Sequence, residues 1–253
     1  MRLKENDPGA AQYGNFINYY QFHPTEARIK SLPTDVWNVN AGEDMICLDV
    51  GSNSGELTQA LYEFILSNLH TVDDENKVDS LQNSQCKGSS CYFLGLELDP
   101  LLTERAKNSN RYVSSIHYHC LNFMTDDKLT VLKTYLKQHG KQKFDVIFCF
   151  SVTMWIHLNY GDEGLIKFLK DLCAWTKVLV IEPQPWKCYR AAARRLWRAK
   201  GKTFPELDAL TIRHNVETEI EDILEKKCNF SKVLETTSED WKRKIIFFRR
   251  HDS

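Results

Sequence analysis

The sequence predicts an α/β fold: a mostly parallel sheet with helices on both faces and an antiparallel hairpin at its C-terminal end. Three observations predict it. Short apolar runs rich in β-branched and aromatic residues alternate with helical patterns of 9 to 15 residues, as βαβ units do. The last two strand-like runs have no helix between them. Finally, 253 residues with 42% apolar and 11% aromatic side chains supply the core of one large domain and exclude a wholly disordered chain.

The elements follow in order. MICLDV (Met45–Val50) reads as the first strand, and Gly55–Leu66 as a helix with apolar residues at 57, 60, 61, 64 and 65. Tyr92–Leu98 (YFLGLEL) is the second strand, a helix spans Pro100 to Asn108, and Ile116–Cys120 is the third strand. A helical pattern at Lys128–Gln138 precedes the fourth strand, Phe144–Phe150 (FDVIFCF). A helix at Glu163–Ala174 leads to the fifth, Val178–Glu182. After a helix at Val216–Lys226, Lys232–Thr236 and Lys244–Arg249 pair as the hairpin, which brings the sheet to seven strands. Residues 1–12 are expected to be flexible, leaving 13–253 as a single domain. Residues 67–90 are polar and aperiodic, and read as a mobile surface insertion.

Several classes drop out. Lys and Arg number 33 against 34 Asp and Glu, so global charge does not point to nucleic acid. No apolar run approaches the ~18 residues that span a bilayer, and the N-terminal MRLKENDPGAAQ has no apolar signal-peptide core. The expectation is a soluble, intracellular, monomeric chain. Of eight cysteines, Cys47 and Cys149 sit inside strand patterns, which suits buried free thiols in a reducing compartment better than disulfides. Cys86 and Cys91 are loosely spaced for zinc and lack a second pair, so no metal is expected.

Chemistry concentrates at the strand ends. After the first strand the chain reads Asp49-Val50-Gly51-Ser52-Asn53-Ser54-Gly55 and then opens a helix. Glycine there lets a ligand approach the backbone, and the helix N-terminus offers free N–H groups. A dinucleotide fingerprint would read G-x-G-x-x-G. Asp49, two residues before the first glycine, disfavours phosphate and suits an ammonium or sulfonium ligand. Read without a ligand, the segment is a tight structural turn. The second strand ends at Glu97, an acid placed to accept adenosine ribose hydroxyls. It lies 46 residues past Gly51, where ~20 is usual; the insertion accounts for the excess. Together these features resemble the Rossmann-like class I S-adenosylmethionine methyltransferase fold.

After the fifth strand, Glu182-Pro183-Gln184-Pro185-Trp186 forms a turn that alternating prolines hold extended. Lys187, Arg190, Arg194, Arg195, Arg198, Lys200 and Lys202 follow, seven cations with no acid between Glu182 and Glu206. Arg190, Arg194 and Arg198 repeat at i, i+4, i+8, so they stack on one helix face, repel one another and favour a polyanion. The plainer readings are a solvated basic face, with Trp186 as core packing.

The segments GNFINYYQFHP (Gly14–Pro24), LDVGSNSG (Leu48–Gly55), TMWIHLNYGDEGL (Thr153–Leu165) and EPQPWKCYRAAARRL (Glu182–Leu196) resemble the Bicoid-interacting, or methylphosphate-capping, RNA methyltransferase family over nearly the whole chain. The resemblance is nearest to the branch that methylates the 5′-monophosphate of histidine tRNA and microRNA precursors, rather than the branch that caps a γ-phosphate. It implies S-adenosylmethionine contacts at Arg28, Asn53, Glu97, Asn122, Phe123 and Phe150, with Tyr20 as a further candidate. Glu97 and Asn122 depart from the family's usual Asp at both positions. A terminal phosphate is mostly a dianion at pH 7 and needs no general base. The expectation is therefore that Arg190 and Arg194, with Arg195, Trp186 and Lys187, hold the RNA. Neutral donors among Gln184, His157, Asn159 and Tyr189 would aim the reacting oxygen, although His157 also reads as a packed core histidine. The alternatives are a non-catalytic RNA-binding module on the same fold, a triphosphate-capping enzyme, and a small-molecule O-methyltransferase.

Overall fold

The computed structural model describes residues 10–40, 42–72, 89–237 and 243–251. Two short helices, α1 (Tyr19–Phe22) and α2 (Thr25–Ile29), come first, followed by β1 (Asn38–Asn40), β2 (Met45–Val50), α3 (Glu56–Ser67) and β3 (His70–Val72). Next are β4 (Cys91–Glu97), α4 (Pro100–Asn108), β5 (Ile116–Cys120), α5 (Lys128–Gln138) and β6 (Phe144–Phe150). The remainder is α6 (Thr153–Trp175), β7 (Thr176–Glu182), α7 (Trp186–Lys200), α8 (Val216–Cys228), β8 (Phe230–Thr237) and β9 (Lys244–Arg250).

The main sheet has seven strands in the order β5-β4-β2-β6-β7-β9-β8. Pairs from β5 through β7 are parallel, whereas β9 runs antiparallel to both β7 and β8. Strands buried on both faces read as continuous apolar runs, and β2 and β6 are buried at every position. Alternate residues of β2 enter opposite cores. Ile46, Leu48 and Val50 join Leu132, Leu165, Leu196 and Ile223 of α5, α6, α7 and α8, while Met45 and Cys47 join Leu57, Leu61 and Ala106 of α3 and α4.

The expected strands and the hairpin are present, and two expectations need correction. The helix anticipated from Glu163 starts ten residues earlier, at Thr153, and runs to Trp175 across a break at Gly161 (φ 72°). Met154, Leu158, Leu165, Leu169 and Leu172 are buried along it, an i+3/i+4/i+7 spacing that the polar Asn159 and Asp162 disguised. The polar stretch after α3 is not all irregular either: β3 pairs in parallel with β1 in a small second sheet. The rest of the expected insertion, residues 73–88, and residues 1–9 of the expected flexible terminus lie outside the described residues. Within the expected terminus, Ala10 and Ala11 pack on the core and Asn159 donates to the Gln12 carbonyl. The seven described cysteines carry no disulfide; Cys86 is outside them. No helix among the described residues is long and apolar enough to cross a membrane.

Candidate active site

The parallel strands end at one edge, and a cleft of about 920 Å³, open to solvent on one side, lies across it. It sits at the carboxyl ends of β2, β4 and β6, where open α/β sheets bind ligands. Eight of the nine expected cofactor residues line it: Tyr20, Arg28, Gly51, Asn53, Glu97, Asn122, Phe123 and Phe150. Asp49 does not. It lies behind Val50 and Gly51, 2% exposed, and accepts a hydrogen bond from Thr58 Oγ1 at 2.7 Å. Burial pushes its carboxyl up to about 6.

The turn between β2 and α3 is tight. Gly51 has φ 84°, and a Cβ there would lie 2.5 Å from Val152 Cγ2, so no larger residue fits without displacement. Asn53 also has positive φ (50°). Its backbone N–H donates to Glu97 Oε2 at 2.9 Å, and its amide donates to the Phe16 carbonyl at 3.1 Å. Asp99 N donates to the other Glu97 oxygen at 2.9 Å. Burial nevertheless wins, raising the Glu97 carboxyl above the usual range despite these donors. Asn122 receives the Met124 N–H on its carbonyl and donates to the Tyr160 hydroxyl, both at 3.0 Å. A glycine turn that presses a ligand to the backbone, an acid at the next strand tip and aromatic walls suit an adenosyl ligand.

A second cleft adjoins the first and shares Tyr19, Ser151 and Trp155 with it; His23, Gln184, Arg195 and Arg243 complete its polar lining. Behind its lining residues Ser151 and Arg243 lies a buried ion cluster. Arg28 and Glu182 are both 0% exposed and meet at 2.8 Å, with Arg243 Nη1 3.7 Å from the same carboxylate oxygen. Ser151, at φ 59°, donates to Glu182 and accepts from Arg28 at 3.1 Å and Arg243 at 2.6 Å. Burial opposes the Glu182 charge, yet the two guanidiniums hold its carboxyl below the usual range. His23 is lowered to about 4, first by burial and then by Arg243 and Arg28, so it is neutral at pH 7.

The four expected catalytic residues are divided by the structure. Gln184 reaches the second cleft but is largely committed to the β6–α6 turn: its amide donates to Ser151 O at 2.7 Å and accepts from Thr153 Oγ1 and Met154 N, each at 3.2 Å. His157 and Tyr189, both 0% exposed, line neither cleft. His157 Nε2 donates to Asp162 Oδ1 at 2.6 Å, which leaves Nδ1 to accept the Tyr189 hydroxyl at 3.0 Å. The packed-core reading of His157 is the one its geometry matches. Asn159 is occupied by the carbonyls of Gln12 and Trp155. Trp186 stacks on Tyr189 at 4.9 Å with Arg213 on its ring, so it packs rather than lining a cleft. On α7, Lys187, Arg190 and Arg194 are exposed, and Arg195 turns into the second cleft. Sequence reasoning missed Tyr19, His23, Ser151 and Arg243. The first two lie in an aromatic-rich segment that offered a signal, whereas Arg243, in a charged tail, offered none.

Sheet order, glycine turn and strand-tip acid together define a class I, Rossmann-like methyltransferase fold. Solved structures agree at the level of fold. N-methyltransferase NodS from Bradyrhizobium japonicum WM9 in complex with S-adenosyl-L-homocysteine aligns with TM-score 0.53 at 12% identity, covering 93% of this chain and 92% of that one. Mitomycin 7-O-methyltransferase MmcR aligns with TM-score 0.51 at 14% identity, covering 90% and 53%. The model of the family "Bicoid-interacting protein 3" matches residues 144–250. The pre-miRNA 5′-monophosphate methyltransferase of Danio rerio is 36% identical over 98% of this chain and 95% of its own length. The RNA 5′-monophosphate methyltransferase of Homo sapiens is 37% identical over 96% and 82%. The chain belongs to the Bicoid-interacting protein 3 family.

Proposed function

We propose that this protein methylates the 5′-monophosphate of small RNAs, with S-adenosylmethionine in the first cleft and the RNA phosphate in the second. The carrying observation is that an adenosyl-type cleft and a cationic cleft share one wall, Tyr19, Ser151 and Trp155. When bound, S-adenosylmethionine supplies a sulfonium methyl group open to displacement by a phosphate oxygen. Arg28, Arg195 and Arg243 against the single carboxylate of Glu182 leave two positive charges around the second cleft, matching a phosphate dianion. Because Glu182 already draws on Arg28 and Arg243, they balance the phosphate charge without fully quenching its nucleophilicity. Neutral His23 and the remaining N–H of Gln184 supply uncharged donors. Removing water and holding the reacting groups ~3 Å apart then accounts for rate, and no residue has to take a proton. Within this reading, Tyr20, Arg28, Gly51, Asn53, Glu97, Asn122, Phe123 and Phe150 hold the cofactor, and the exposed cations of α7 hold the RNA backbone.

The relatives' named activity favours a monophosphate acceptor, and we extend this to histidine tRNA and microRNA precursors, acted on by a cytoplasmic monomer. The test is methyl transfer from labelled S-adenosylmethionine to one RNA hairpin bearing 5′-monophosphate, 5′-triphosphate or 5′-hydroxyl. Labelling of the monophosphate form alone is expected. Labelling of the triphosphate form instead would replace this reading with γ-phosphate capping, and cofactor binding without transfer would favour a binding role.

A further inference from the structure

Helix α7 presents three strips at ~100° per residue. Tyr189, Ala192 and Leu196 are buried in the core, and Cys188, Ala191 and Arg195 line the second cleft. Lys187, Arg190, Arg194 and Arg198 form an exposed strip beside the cleft-lining one. Trp197 stands at the outer edge of that strip. It is 66% exposed, although a tryptophan normally brings a large apolar surface to a core or an interface. Its ring has no aromatic partner among the described residues; Lys187 faces Glu217, while Arg190, Arg194 and Arg198 have no anionic partner among the described residues.

We infer that Trp197 is a base-stacking platform: together with Arg190, Arg194 and Arg198 it docks an RNA base close to the 5′ end held in the second cleft. The inference rests on the reading under Proposed function. The strip's charge selects a polyanion, and the ring accepts the π-face of any base, so recognition is by stacking and backbone rather than by sequence. Trp197 lies nine residues beyond Cys188, ~13 Å along the helix axis, which puts the contact within a few nucleotides of the reacting phosphate. An anionic membrane fits less well. An interfacial helix needs its apolar face free to enter lipid, and here Tyr189, Ala192 and Leu196 are already consumed by the core.

The test is binding of a 5′-monophosphorylated RNA hairpin by full-length protein across a salt series, for the unmodified chain and for Trp197→Ala, Trp197→Phe and Arg194→Gln. Trp197→Ala should bind about tenfold more weakly, ~1.4 kcal/mol, with the slope of log affinity on log salt unchanged; Trp197→Phe should stay within about threefold. Arg194→Gln should lower that slope by about 1, as loss of one phosphate contact does. Methyl transfer to a 5′-monophosphorylated dinucleotide, too short to reach Trp197, should be unaffected by Trp197→Ala. Hairpin affinity within twofold of the unmodified chain would overturn the inference. So would Trp197-dependent binding to phosphatidylserine–phosphatidylcholine vesicles without an effect on RNA. Trp197-dependent RNA binding by a chain that transfers no methyl would sustain the docking surface and sink the proposed activity. Absence of RNA binding by the unmodified chain would end both.

Discussion

At the residue scale the densest chemistry is the Arg28–Glu182–Arg243–Ser151 cluster beneath the shared wall of the two clefts. A buried pair broken on one side leaves an uncompensated charge, which costs ~3–5 kcal/mol. Glu182→Ala should therefore lose stability of that order, seen as a lower urea midpoint, and should weaken binding in both clefts because Arg28, Ser151 and Arg243, which line them, lose the carboxylate that holds them. Asp49 yields a pH prediction. Its carboxyl is pushed up to about 6 by burial, whereas an unfolded Asp sits near ~3.9. The folded chain then holds a proton that the unfolded chain has released, so ionising Asp49 costs stability as pH rises from ~4 through about 6. A sulfonium ligand favours the ionised form. Affinity for S-adenosylmethionine should accordingly rise more between pH 5 and 7 than affinity for S-adenosylhomocysteine, measured by calorimetry, and Asp49→Asn should remove the difference. His23 behaves oppositely: held at about 4, it stays neutral at working pH. The acid limb of kcat/KM should then lie near ~6, the phosphate's own second pKa, and survive His23→Gln. A limb that vanishes in that variant would assign it to the histidine instead. Little of this cluster was legible beforehand. Arg28 came only from the resemblance, Glu182 only as part of a proline turn, and Arg243 makes its contacts from 61 positions beyond Glu182 in the chain. Pairings between residues so far apart leave no local pattern to read.

At the element scale, the β2–α3 turn and α7 could be read early because each depends on neighbours in sequence: a positive-φ glycine, and a cation repeat on one helix face. Gly51→Ala tests the first. With φ at 84° and Val152 Cγ2 2.5 Å from an added Cβ, it should lower cofactor affinity at least tenfold while the protein remains folded, monitored by circular dichroism and ligand titration. Helix α6 was only half legible, because the helix was expected to start at Glu163, just past Gly161 and Asp162. In the structure they mark a break inside one element, and Asp162 secures that break to the segment after α7. It accepts from Thr211 N at 2.8 Å and, through its other oxygen, from His157 at 2.6 Å. The motif that looked catalytic thus joins α6, α7 and the following loop. Its residues are polar and clustered for the same physical reason as those of an active site, that buried polar groups need partners.

For the molecule as a whole, a net charge of -1 conceals a strong segregation: the second cleft and the neighbouring strip of α7 are cationic, while carboxylates elsewhere balance them. Methylating a phosphate removes one negative charge, so RNA carrying the product should bind more weakly than its substrate at fixed salt, which assists release. Equal affinities for the two RNAs would contradict this.

The second cleft also has a history within each molecule. Its walls come from His23, near one end of the described chain, and from Arg243, just before β9, near the other. While the protein is being made, the chain up to β7 can pack around the cofactor turn without Arg243 in place, but β8 has no neighbour in the sheet until β9 follows. Arg243 therefore reaches the cleft only together with β9, the strand that joins β8 to β7 and closes that edge of the sheet. On the proposed reading, a chain cut just before Arg243 would lose one edge of the sheet and one cation of the second cleft at the same stroke.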